Sequence, residues 1–233
     1  MKSIIIYFSK LLSIIILIIY KLYYNKRFSF KCRGVALIGL SLRGSVSFHL
    51  KSGKIAKTKF IIYGKNIKLF FDDDVKIYNC KFVISGDNCI IDFRGARNMV
   101  DSKFELLDSN TQLIVSGNTG FKHNRVLVAG NQNSVRIGSD CIFAEGVEIW
   151  ASDTHSILDI NTNCRINNDA PIEIGNRVWL GNRALVMKGV KIGNDVVVAA
   201  GSIVTNNVPD NSLVAGVPAK VIKNNIRWDI RRI

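Results

Sequence analysis

Between Ile174 and Pro209 an aliphatic side chain returns at every sixth position without a slip: Ile174, Leu180, Val186, Ile192, Val198 and Val204. The residue after it is small in four of the hexads (Gly175, Gly181, Gly193, Ala199), with Met187 and Thr205 as exceptions. The fifth position carries Val178, Ala184, Val190, Val196, Ser202 and Val208. Six is a poor helical period but a natural length for one short strand plus one corner. Three hexads then close a triangular turn, and the aliphatic residues stack into interior columns shared by neighbouring coils. The small residue is expected where the backbone bends and a side chain would crowd it.

The hexads also run through Ile137, Phe143 and Ile149 before resuming at Ile174, and the interval from Ile149 to Ile174 is not a multiple of six. A loop of about twenty residues, near 151–171, must therefore project from the stack, and long loops in compact domains usually carry function. Upstream, Val83–Asn88 and Val128–Asn133 read as degenerate coils.

At the N-terminus, Ser3–Tyr20 is almost continuously apolar, broken by Ser9, Lys10 and Ser13. On a helical wheel Lys2, Ser3, Ser9, Lys10, Ser13, Tyr20 and Lys21 gather within an arc of roughly 120°. This suits a helix lying in a bilayer interface, with Lys21, Lys26 and Arg27 against anionic lipid. A short spanning helix and a helix packed on a partner subunit are the alternatives. Tyr20–Tyr24 lacks the small residues of a signal-peptide cleavage site.

Charge sharpens this picture. The formal net charge is +14, yet residues 1–71 hold 14 Lys and Arg with no Asp or Glu, and the remainder holds 18 of each sign. Such asymmetry points to a polyanionic surface, either lipid or an acidic polysaccharide. Nucleic acid is not expected, because the basic residues are spread through Ile- and Leu-rich segments instead of clustering beside stacking aromatics. The chain divides into a membrane-associating helix (1–27), a basic segment (28–71), the repeat domain (72–223) and a basic tail (224–233).

The five cysteines (Cys32, Cys80, Cys89, Cys141, Cys164) form no CxxC pair and read as buried thiols in a reducing compartment. His49, His123 and His155 are the whole histidine supply, so a three-histidine metal enzyme of the γ-carbonic-anhydrase kind is a remote alternative and no metal is expected.

IGNRVWLG (Ile174–Gly181), IGNDVVVAAGSIV (Ile192–Val204) and VPDNSLVAGVPAKVIK (Val208–Lys223) resemble the hexapeptide-repeat acyltransferases. That resemblance covers Val135 to Lys223 and implies an all-β fold, a left-handed parallel β-helix. The handedness comes from the resemblance alone, since general crossover rules favour the right-handed form. SDTHSI (Ser152–Ile157), with Trp179 of VWLG downstream of its histidine, resembles the bacterial polysaccharide and sialic-acid O-acetyltransferases. The resemblance implies His155 as catalytic base and Trp179 as active-site lining.

Acetyl-CoA is already activated as a thioester, so an imidazole that deprotonates the acceptor hydroxyl suffices and no nucleophilic Ser or Cys is required. Asp153 is the nearest candidate to orient the ring, equally readable as a turn residue; Glu145 and Glu148 are others. For CoA, the resemblance implies a groove between late coils at Ala199, Ala200 and Gly201, with Lys220, and behind it Lys188 and Arg183, for the phosphates. It also implies a homotrimer with active sites between subunits. Trp150 and Trp228 are read as packing residues. The function expected is acetylation of a hydroxyl on a bacterial surface glycan, in the cytoplasm at the inner face of the membrane. N-acetylation of an amino sugar nucleotide is the alternative.

Overall fold

A computed structural model describes residues 28–31, 35–36, 40–42, 45–50, 53–71 and 75–233. The expected helix at 1–27 lies outside the described residues. Among the described residues twenty-six short strands form three sheets of 8, 10 and 8 strands, and the chain visits the first, second and third sheet in turn. All neighbours pair in parallel except the last two strands, Leu213–Gly216 and Ala219–Lys223, which form an antiparallel hairpin. The result is a left-handed parallel β-helix, a triangular prism whose three sheets are its faces. Among the described residues no helix is long and apolar enough to cross a membrane.

The coil is not uniform along the prism. In the late coils, strand partners lie three hexads apart, as in Glu173↔Lys191, Trp179↔Val197 and Leu185↔Ile203. In the middle the interval widens to 22, as in Phe60↔Phe82, Phe82↔Phe104 and the hydrogen-bonded Asn66 and Asn88. The wider triangle has more interior to fill, and phenylalanine fills it. Phe60, Phe82 and Phe104 stack with centroids 4.7 and 4.9 Å apart, the spacing of adjacent strands. Phe93 and Phe121 lie edge-on to Phe104 at 5.0 and 5.3 Å. In the narrower coils Val178, Leu180, Ala184, Val186, Val190 and Ile192 take over.

Two expectations change here. Residues 28–71 are not a separate basic segment: Phe28↔Val46 and Val46↔Ile67 place them in the first sheet, so coils run from Phe28. Their inward positions alternate along longer strands (Val46, Phe48, Leu50; Ile67, Leu69, Phe71), which hides them from a search for period six. The small residue after each aliphatic stands where a side chain would be crowded, as expected, but not at the bend. A Cβ on Gly175 would lie 2.6 Å from the Gly193 carbonyl oxygen, and one on Gly181 would lie 2.6 Å from Ala200 N. Close stacking excludes a side chain there. The left-handed corner falls further along each hexad, at Arg177, Arg183, Gly189, Asp195 and Gly201, with φ between 55° and 76°.

Candidate functional site

Across the projecting loop the interval between strand partners widens to 37 (Ile137↔Ile174, Ile149↔Val186, and likewise Ser139 with Asn176). That is more than double the interval of a plain late coil, and the excess forms the loop. It leaves the third sheet after Trp150 and re-enters the first at Ile172. Its outer half is a small hairpin: Asp159 N–H donates to the Cys164 carbonyl and Ile166 N–H to the Ile157 carbonyl, both at 2.9 Å. Asp159 Oδ1 accepts from the N–H groups of Asn161 and Thr162 and closes the tip.

Two polar clusters hold the base of the loop. Lys188 Nζ donates to Asp153 Oδ2 at 2.5 Å and to the Asn167 carbonyl at 2.7 Å. The Asn167 amide donates to Asp153 Oδ2 and to the His155 carbonyl, each at 2.8 Å, while its Oδ1 accepts from Ile157 N–H at 2.7 Å. Beneath, Arg165 forks onto both oxygens of Asp169 at 2.9 and 3.1 Å, and the buried Ser152 hydroxyl donates to the same carboxylate. The Lys188 ammonium holds the Asp153 carboxyl below its ordinary value. Burial pushes the Asp169 carboxyl up, but Arg165 and Ser152 outweigh it, so it too ends lowered.

The backbone of His155 is thus pinned while its imidazole, exposed, bonds to no other side chain among the described residues. The expected Asp153–His155 contact is not made, because Lys188 and Asn167 occupy that carboxylate. Glu148 instead accepts from Trp150 Nε1 at 2.7 Å, and Glu145 faces His123 at 3.4 Å. Lys188 is correspondingly a clamp on the loop and not a free cation for phosphate. Asn167, Arg165 and Asp169 escape the sequence reading, since they stand well downstream of the motif they secure and repeat no pattern.

Trp179 lies within a strand of the second sheet, between buried Val178 and Leu180, so it faces outward from a flat face and not from a corner. The loop leaves from the edge between the third and first sheets, and the second sheet is the prism face opposite that edge. One chain therefore does not bring His155 and Trp179 together. What Trp179 meets is Trp228, centroids 6.3 Å apart. Trp228 Nε1 donates to the Arg177 carbonyl at 2.6 Å and Arg177 Nη2 donates back to the Trp228 carbonyl at 2.9 Å, fixing the C-terminal tail across the sheet. Between tail and sheet runs a groove of about 520 Å³ lined by Asn98, Lys122, Ile142, Arg177, Trp228 and Ile230, among others. Trp228, expected only to pack, is a wall of that groove.

Arg183 and Gly201 share the corner between the second and third sheets on successive coils, Gly201 N–H donating to the Asn182 carbonyl at 2.8 Å. Ala200 and Gly201 are exposed, and a Cβ on Gly201 would meet nothing within 4 Å, so this corner is an open, side-chain-poor strip. Lys220 is exposed on the closing hairpin opposite Ala215. No group of three His, Cys, Asp or Glu among the described residues is placed to hold a metal. Cys80, Cys89 and Cys141 are buried, and burial pushes Cys80 and Cys141 up to about 11; Cys164, contrary to expectation, is exposed on the loop. Cys32 lies outside the described residues.

The bacterial transferase hexapeptide family (six repeats) matches residues 171–206. A polysialic acid O-acetyltransferase of Escherichia coli O1:K1 / APEC is 41% identical over 43% of this chain and 33% of its own. The putative lipopolysaccharide biosynthesis O-acetyl transferase WbbJ of E. coli K12 is 42% identical over 39% of this chain and 50% of its own. The chain thus spans between a third and half of these curated relatives. Among solved structures, the polysialic acid O-acetyltransferase OatWY superposes with a TM-score of 0.78 at 27% identity, over 83% of this chain and 92% of that one. The polySia-specific acetyltransferase NeuO gives 0.65 at 30% identity, over 89% and 91%. Coil geometry, hexad match and near full-length likeness to NeuO agree: the chain belongs to the bacterial hexapeptide-repeat transferases.

Proposed function

We propose that this protein transfers an acetyl group from acetyl-CoA to a hydroxyl of a bacterial surface glycan, at a site completed between two copies of the chain in a homotrimer. The observation that carries the reading is the His155 imidazole: its backbone is clamped on a projecting loop, and its ring is left open to a second molecule. The names of the two curated relatives and of the two well-superposing structures support acetyl transfer to glycan hydroxyls.

In this account the loop of one copy reaches the second sheet of the next. His155 takes the proton of the acceptor hydroxyl as that oxygen bonds to the acetyl carbonyl carbon, and returns it to the departing thiolate. Trp179 of the second sheet packs against the reactants. The open corner at Ala199–Gly201, with Arg183 and Lys220, holds the CoA arm, which supplies the acetyl group as a thioester. The groove beside Trp228 admits the acceptor, with Lys122 available to an acidic sugar. The apolar side chains exposed on the loop hairpin, Ile157, Leu158, Ile160 and Ile166, are the ones that a neighbouring copy covers. The enzyme would work in the cytoplasm, where acetyl-CoA is made, at the inner face of the membrane.

The test is thiol release from acetyl-CoA with a panel of capsular, lipid-linked and monomeric glycans, beside His155→Ala. Acceptor-dependent release that falls by about 10²–10⁴ in the variant supports the reading. Release unchanged in His155→Ala would sink it, and release with amino sugar nucleotides alone would replace it by N-acetylation.

A further inference from the structure

The two coils that follow the first turn of the prism carry cations on every side. Lys54 faces outward on the second sheet, Lys59 on the third and Lys68 on the first, while Lys57 and Lys65 stand at corners between them. The next strands repeat the charge in register, Lys54↔Lys76 and Lys59↔Lys81. All seven are exposed or half-exposed, and no acidic residue precedes Asp72.

Of the six described lysines beyond Lys81, three are matched, Lys103 to Glu105 at 2.7 Å, Lys191 to Glu173 at 2.7 Å and Lys188 to Asp153, and Lys122, Lys220 and Lys223 stand singly. None of Lys54, Lys59, Lys65, Lys68, Lys76 or Lys81 forms an ion pair among the described residues, and Lys57 lies over the Tyr78 ring at 5.0 Å. Like charges stacked one strand apart, about 4.8 Å, repel each other, and the four acids among residues 54–87 (Asp72, Asp73, Asp74 and Asp87) offset the seven lysines only in part. Tyr63 and Tyr78 are exposed in the same coils.

We infer that this belt docks the N-terminal end of the prism, end-on, against an anionic lipid bilayer. Its form selects the partner. A single acidic polymer lies along one face, and charge on the other two faces does nothing for it. A plane meeting the end of the prism reaches all three faces at once. The belt begins one coil from Phe28, where the described stack starts, a distance of about 5 Å that lies within a Debye length. Exposed tyrosines beside lysines suit the headgroup level, where an aromatic body and a polar tip are both accommodated. The inference is independent of the acetyl-transfer chemistry.

The test uses the full chain and vesicles of phosphatidylcholine with and without phosphatidylglycerol, read by co-sedimentation. The preference for anionic over neutral vesicles is the measured ratio, so any binding indifferent to lipid charge cancels. Lys54, Lys59 and Lys68 are changed together to Gln, and compared with Lys191, Lys223 and Arg227 changed together to Gln at the last strands of the stack. Surface lysines each contribute roughly 1 kcal/mol, about fivefold, so the belt variant is expected to lose roughly a hundredfold of the preference. The far-end variant, with the same net charge, stays within about twofold. Both variants alter exposed positions, and thermal melts check that they fold. Raising ionic strength with the unaltered protein gives a second reading that needs no variant, and must erase the preference. Equal losses in both variants, or a preference that survives salt, would overturn the inference. So would a belt variant that keeps its vesicle preference and loses binding to soluble polysialic acid.

Discussion

Lys188→Met is the substitution whose outcome separates a loop clamp from a phosphate ligand. The Lys188 side chain is 18% exposed and the Asp153 side chain 27%, so the pair is more shielded than an ordinary surface bridge. The ammonium makes two charge-assisted bonds, to Asp153 and to the Asn167 carbonyl. Such bonds are worth roughly 1.5–3 kcal/mol each when their partner is left unsatisfied, but water can reach this site, which puts the total near the low end, about 2 kcal/mol. Met keeps the aliphatic stem and removes only the charge. Spent on the closed form of the loop, about 2 kcal/mol lowers kcat by roughly 10–30-fold, because His155 is held through Asn167 and Asp153. KM for acetyl-CoA stays within about twofold, and the melting temperature moves by only a few degrees, since the loop lies outside the coil stack. The assay is steady-state thiol release with both substrates varied. Asp153→Asn, alone and combined with Lys188→Met, completes a cycle whose coupling is expected at roughly 1–2 kcal/mol. A tenfold rise in acetyl-CoA KM with kcat intact, or strictly additive effects, would refute the reasoning and return Lys188 to the CoA phosphates.

Three further outcomes follow from the same geometry. Asp153 and Asp169 both titrate below their unfolded values, so their contribution is complete above the ordinary carboxylate range and is lost as pH falls through the folded values. Protease cleavage or amide exchange at Ile157–Ile166 should therefore stay constant from about pH 5 to 8 and rise only below about pH 4; a rise near neutrality would contradict it. In a Cys32→Ser background, a thiol reagent should label Cys164 at once and reach Cys80, Cys89 and Cys141 only after unfolding; rapid labelling of more than one thiol would place the core wrongly. Trp228→Ala frees the tail from Arg177 and should raise acceptor KM several-fold while leaving acetyl-CoA KM alone; an unchanged acceptor KM would remove the groove from the account.

The late coils are legible in the sequence because each interior residue returns at one fixed interval and nothing else produces that interval. The projecting loop is legible for the same reason, as the failure of the count between Ile149 and Ile174. The upstream coils follow a period of 22, visible once the fold is known as Phe60, Phe82, Phe104 and as Asn66, Asn88, Asn110, the latter joined by side-chain hydrogen bonds of 3.1 and 3.2 Å. A search tuned to six passes over it. Asp153 is the nearest carboxylate to His155 along the chain, but proximity in sequence carries no information about Lys188, a distant residue from another coil that claims it. Trp228 escapes notice because a tail that folds back onto a sheet leaves no periodic trace. That His155 and Trp179 lie across the prism from each other also needs the order of the sheets, which spacing alone does not fix.

That separation makes the shared site directly testable. His155→Ala and Trp179→Ala chains, each inactive alone, are denatured together in equal amounts and refolded. If the site takes His155 from one copy and Trp179 from the next, random mixing rebuilds about a quarter of the sites, and about that fraction of wild-type acetyl transfer returns. Activity that stays at the level of the separate variants, in trimers shown to be mixed, would contradict a site built between copies.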